Sequence, residues 1–218
     1  MSLPVLDKYI QAFLETLLMV SVSAVIAISG GLLLALTLTV TAVGGLRPLP
    51  RFNRSLSIVI NMFRAIPFII LLVAMLPVTR FLVGTTLGTW AAIVPLSASL
   101  MPYYTRIAQV SLNDVDRGLI EAARASGCRR RDIVRHVLLP EALPGIVTGM
   151  TVCIIGMIGA SAMAGAVGAG GLGDLAIRYG YERYETRVMF EVIAILIALV
   201  SIVQFTGEWI ARKVDHRR

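Results

Sequence analysis

The chain is short of charge and nearly without cysteine. Only 15% of its 218 residues are Asp, Glu, Lys or Arg, against about 25% in soluble domains. A soluble surface needs more charge than that, which argues against an ordinary soluble enzyme. Its high apolar content argues equally against a disordered chain. Two cysteines, Cys128 and Cys153, rule out a disulfide scaffold and are too few and too separated for a metal site. His136 stands in a basic stretch and His216 in the C-terminal tail. No nucleophile–base pair or clustered ligand set accompanies them, so nothing points to catalysis. No G-x-x-x-x-G-K-[ST] run occurs, so the chain cannot by itself cradle ATP phosphates. No basic n-region or small-residue cleavage site precedes the first apolar run, so that run is expected to be retained as a span.

What the sequence has is apolar length. Apolar residues make up 57% of the chain, and the mean hydropathy is +0.82. Five intervals carry no Asp, Glu, Lys or Arg: Thr16–Leu46, Ala65–Thr79, Phe81–Thr105, Ala142–Gly173 and Val192–Gly207. A spanning helix needs roughly 20 mostly apolar residues. The second interval reaches that length from Ser57, with Arg64 inside it near its basic end, and the fifth from Val188. The expected architecture is an all-α membrane protein forming one transmembrane domain over residues 1–218. Its five spans fall near 16–46, 57–79, 81–105, 142–173 and 188–207. Pro67 should bend the second span, because proline removes an intrahelical hydrogen bond.

The net charge of +7 would suggest nucleic acid in a soluble protein. Here its placement matters more. Fourteen of the twenty basic residues fall between spans 1 and 2, between spans 3 and 4, or after span 5. Short loops rich in Lys and Arg stay cytoplasmic. The N-terminus is therefore expected outside, the C-terminus inside, with no nucleic-acid partner.

Residues 106–141 read as a cytoplasmic loop. Arg117–Ser126 has helical character, with Gly127 as its stop. A second short helix is expected through Asp132–Leu138, and Pro140 should open the fourth span. A basic loop of this kind can simply bind anionic headgroups of membrane lipids. Its order of residues is more particular: Glu121-Ala122-Ala123, then Gly127, then nine residues to Val137-Leu138-Leu139-Pro140. This resembles the E-A-A loop of binding-protein-dependent ABC-transporter permeases, with Val137 where isoleucine is usual.

A closer resemblance, to methionine-uptake permeases, covers nearly the whole chain. It is carried by Asn61–Leu72, Val83–Thr86, Ala91–Leu96, Val137–Gly145 and Gly165–Gly173. The resemblance implies a homodimeric importer with two separate cytoplasmic ATPases, which bind ATP and Mg. It also implies an extracytoplasmic solute-binding protein and methionine as the small-molecule substrate, in a bacterial inner membrane. In that family the loop docks on the ATPase, which here would fall to Glu121, Ala122, Ala123 and Gly127. Leu139 and Pro140 would mark the return to the membrane.

Gly168, Gly170 and Gly173 form a literal G-x-G-x-x-G, but no strand and solvated helix flank it, so it is no dinucleotide fingerprint. Gly145, Gly149, Gly156, Ala160, Ala164 and Gly168 make a run of small residues suited to close helix packing or to a pathway wall. Met163 fits either a gap-filling core position or a plug in the pathway, and Ser161 lies beside it. Arg64 fits snorkelling, contact with cytoplasmic-side carbonyls, or a role in the pathway or coupling. A channel, an ion-coupled transporter and a structural subunit are the other classes of membrane protein to weigh. The mid-span regions lack carboxylates, which counts against proton coupling.

Overall fold

The computed structural model describes residues 3–215, and His216 lies outside them. The first helix, α1, runs Leu3–Thr41. It ends where the chain meets a glycine pair, Gly44 taking φ +81°. Its last carbonyls are not left orphaned, as helix ends otherwise are. Asn53 donates from Nδ2 to the Leu38 carbonyl at 2.6 Å and to Thr41 Oγ1 at 2.9 Å.

The expected second span is not one helix. The α2 helix, Pro50–Ala65, stops at Ile66, which is extended (φ −82°, ψ 123°) because the ring of Pro67 disfavours helical backbone before it. The α3 helix, Phe68–Ala74, then leaves at 102° to α2. The α4 helix, Leu76–Val83, follows after one residue and is closed by Gly84 at φ +83°. Proline therefore breaks the span rather than only bending it. The expected third span is also displaced, since 81–83 belong to α4. Its helix, α5, is Thr89–Asn113, with Pro95 and Pro102 inside.

The α6 helix covers Arg117–Ala125. The α7 helix, Arg130–Ile133, runs without interruption through a π turn at Val134–Leu138 into α8, Leu139–Ala164. Pro140 falls in the first turn of α8 as expected, but α8 does not start afresh there, since it continues a helical run that begins at Arg130. The wide turn accommodates the proline: Leu139 N–H bonds to the Val134 carbonyl, five residues back, in the usual manner of a π-bulge. The loop expected over 106–141 thus shrinks to a segment around α6, since 106–113 belong to α5.

The run ends before 173. Val167 and Gly168 leave helical geometry, Gly168 at φ +89°, and α9, Gly171–Leu175, follows. The last helix, α10, is Thr186–Val214. Among the described residues, α1, the 130–169 run and α10 are long and apolar enough to cross a membrane. The bent α2–α3 pair makes a fourth if counted as one span.

The core lies where α1, α5 and α8 meet, around Met19, Leu96, Tyr104, Leu112, Ile146 and Met157, each nearly or fully buried. Glycines let these backbones approach. A Cβ on Gly31 would lie 2.9 Å from the Met101 carbonyl and from Tyr104 Cδ1, and one on Gly207 of α10 would run into Thr151. By contrast α2, α3 and α10 leave much apolar surface uncovered, including Ile58, Met62, Ile70, Phe190, Ile197 and Phe205.

Candidate functional site

The α6 helix stands out as a charged element with no buried residue. Its N-terminus is capped by Asp116, whose carboxylate accepts from Gly118 N–H at 2.7 Å. Its end is a Schellman motif: Cys128 N–H bonds the Ala123 carbonyl at 3.1 Å and Gly127 N–H the Arg124 carbonyl at 3.0 Å, with Gly127 at φ +76°. The left-handed backbone selects glycine here, since nothing lies within 4 Å of a Cβ placed on it. Glu121 and Ala122 face solvent, and Ala123 is half-buried. Ile120 packs on the core, and Arg124 donates to the Gly45 carbonyl at 3.0 Å. The helix is thus anchored by one face and open on the other. Leu139 is half-buried and Pro140 exposed, both on the rigid run that begins just after α6.

The small residues of α8 divide between two surroundings. Gly145 and Gly149 lie against α5: a Cβ on the first would meet Ser111 Oγ at 2.7 Å, and on the second Ile107 Cγ2 at 2.5 Å. Ala164 is buried and Ala160 half-buried. Gly156 has open space above it, and Gly168 is a left-handed residue outside the helix. Thr148, Val152, Gly156, Gly159 and Met163 form one exposed stripe, on which Met163, 53% exposed, is the bulky residue at the glycine-rich end. Ser161 does not reach this stripe. It is buried, and its hydroxyl donates to the Ile158 carbonyl at 2.8 Å.

The turn beyond Met163 is held by residues the sequence did not single out. Glu15 of α1 accepts from Gly171 N–H at 2.7 Å, and Thr16 Oγ1 accepts from Leu172 N–H at 2.9 Å. From the start of α5, Gly88 N–H bonds the Gly168 carbonyl at 3.0 Å. Close by, Lys8 donates to the Tyr179 hydroxyl at 3.0 Å, which holds that phenol below its ordinary range. Tyr9 donates to Glu191 at 2.6 Å. The side-chain pairings lie more than 150 residues apart in sequence, so no local pattern announces them.

Arg64 is exposed at the end of α2, with its guanidinium 5.8 Å from the centre of the Tyr103 ring. Among the described residues no metal-binding cluster is present.

Fold and site together define a multi-pass membrane protein with one exposed, charged helix. The model of the family described as "binding-protein-dependent transport system inner membrane component" matches residues 27–217, and the chain belongs to that family. It is 43% identical over 211 residues to the probable D-methionine transport system permease protein MetI of Vibrio cholerae, covering 97% of this chain and 94% of that one. It is 40% identical over 180 residues to the methionine import system permease protein MetP of Bacillus subtilis, covering 83% and 81%. Among solved structures it superposes on a chain from inward-facing MetNI methionine ABC transporter with TM-score 0.97 and 45% identity, covering 99% and 100%. An amino acid ABC transporter crystallised with histidines shares the fold, at TM-score 0.73 and 21% identity.

Proposed function

We propose that the chain is the permease subunit of an ATP-driven importer that moves methionine into the cytoplasm by alternating access. The relatives named for methionine transport at 40% identity or more over most of the chain support the substrate. The observation that carries the coupling is the exposed α6, ended by the left-handed Gly127 and fixed to the body through Ile120 and Arg124. An ATPase seated on Glu121, Ala122, Ala123 and Gly127 would move a rigid lever. The helical run from Arg130, long and apolar enough to cross a membrane, would carry that movement onward past Leu139 and Pro140.

Five passes follow if α5 is counted and the broken α2–α4 segment is taken as one. At 25 residues, α5 is about 37 Å long, enough to cross. The basic segments put the N-terminus outside and the C-terminus inside. The uncovered faces of α2, α3 and α10 suit lipid and a second copy of the chain. The exposed α8 stripe ending at Met163 would form the pathway wall between the copies, with an external binding protein delivering the solute. Two separate ATPases would supply ATP and Mg chemistry.

Two experiments test this reading. The double variant Glu121→Lys, Gly127→Asp should insert normally and lose ATP-dependent methionine uptake in proteoliposomes; retained uptake defeats the coupling assignment. Met163→Ala should raise methionine leak in the absence of ATP, and leak equal to wild type removes it as a plug.

A further inference from the structure

Two arginines meet across the seam of α2 and α5, and among the described residues no carboxylate pairs with either. Arg106 is held in place on every side. Its Nε donates to Asn61 Oδ1 at 3.2 Å, one terminal nitrogen to Gln109 Oε1 at 2.7 Å, and the other to the Ser57 carbonyl at 3.2 Å. Those contacts use three of its five N–H groups. Arg64 stands one helical turn beyond Asn61, and Tyr103 one turn before Arg106, so the Arg64–Tyr103 contact closes the same cluster. The two guanidinium charges repel each other.

The ion pairs among the described residues are Arg178–Asp174, Arg187–Glu191 and Arg212–Glu208, and neither arginine takes part in them. The Arg64 guanidinium makes no hydrogen bond to another described residue, so its planar fork of donors stays open beside the Tyr103 ring. Arg106 lies seven residues, about 10 Å, before the end of α5 at Asn113. Charge within a spanning segment is relieved by a partner, a backbone carbonyl or a water-filled path; Arg106 has the Ser57 carbonyl, and the Arg64 guanidinium has only the Tyr103 ring beside it. Guanidinium matches an oxyanion better than any other side chain does, through two parallel N–H donors.

We propose that Arg64 and Arg106, framed by Asn61 and Tyr103, form an oxyanion subsite that receives the α-carboxylate of the amino acid during its passage. Arg106 is the fixed, pre-oriented member, while Arg64 is the free one that swings to meet the ligand. This rests on the importer reading above, and it adds a recognition element for the backbone end of the substrate. The same oxyanion chemistry is offered by the phosphate of an anionic lipid, so the experiment separates the two sources.

The test uses the whole complex, with its ATPase and binding protein, in vesicles made either with or without phosphatidylglycerol. Arg64→Gln should lower ATP-driven methionine uptake by about tenfold or more, the scale of a lost charge-assisted hydrogen bond. The drop should be equal in both vesicle types, and Arg64→Lys should restore part of the rate by keeping the charge. Co-purification of the ATPase with each variant establishes that the complex assembles. Uptake by Arg64→Gln within twofold of wild type overturns the subsite. A defect seen only in phosphatidylglycerol vesicles assigns the pair to a lipid phosphate and overturns it as well. A wild-type complex that carries another solute and not methionine overturns the importer's substrate instead, and is distinguishable from both.

Discussion

Gly149 and Gly156 sit seven residues apart on α8, and the structure gives them opposite tolerance for a side chain. A Cβ on Gly149 would lie 2.5 Å from Ile107 Cγ2 and 3.7 Å from Tyr104 Cε2. Carbon atoms rest at about 3.5–4.0 Å, so Ile107 or the helix itself must move by about 1 Å. Gly149→Val adds two further methyl groups at this crowded point, and overpacking of that kind costs about 1–3 kcal/mol. Gly156 has nothing within 4 Å, so Gly156→Val should stay within about 0.5 kcal/mol of wild type. The measurement is unfolding of the detergent-purified chain in mixed micelles, followed by far-UV circular dichroism. A second arm names the clash: trimming Ile107 to alanine in the Gly149→Val background should recover about 0.5 kcal/mol or more as coupling between the two sites. Equal effects at the two glycines, or no coupling to Ile107, would refute the α5–α8 contact as described.

Three further outcomes follow from single contacts. Glu15→Ala removes the acceptor for Gly171 N–H, a charge-assisted bond at a part-buried position, and should cost about 1–2 kcal/mol; an unchanged melting temperature of the complex counts against the clasp. Gly127→Ala forces an L side chain to φ +76°, at about 1–2 kcal/mol, and should weaken ATPase co-purification more than Gly127→Asn does, because asparagine tolerates that backbone. Lys8→Met removes the ammonium that donates to the Tyr179 hydroxyl and stabilises its phenolate. The Tyr179 phenol should then titrate at higher pH, read from the tyrosinate absorbance rise, and a titration equal to wild type would discount the contact.

Absence of charge located the apolar segments but not their ends, because charge and helix geometry answer to different physics. A charge-free interval records the cost of burying an ion, whereas helices stop where backbone geometry fails. Pro67 and Gly84 therefore cut through intervals that the charge pattern leaves whole. Gly127 was legible because a Schellman stop is local, satisfied within six residues. The hold of Glu15 and Thr16 on the turn at Gly171 was not, since its two sides are 156 residues apart.

The stripe of small residues shows how a correct periodicity can still mislead. Steps of four residues advance about 40° around a helix, and Gly145, Gly149 and Gly156 therefore stay on nearly one face. Yet the first two lie against α5 and the third faces open space. The reason is the neighbour rather than the stripe. Helices in contact cross at an angle, so α5 lies against this face of α8 at Ser111 and Ile107 but leaves it open at Gly156. Sequence spacing states which residues share a face; how far a partner helix follows that face is set by crossing geometry, which depends on residues elsewhere in the chain. The uncovered end of the stripe, from Val152 to Met163, is thus where the fold leaves α8 free for something beyond this chain, and it is there that the proposed pathway falls.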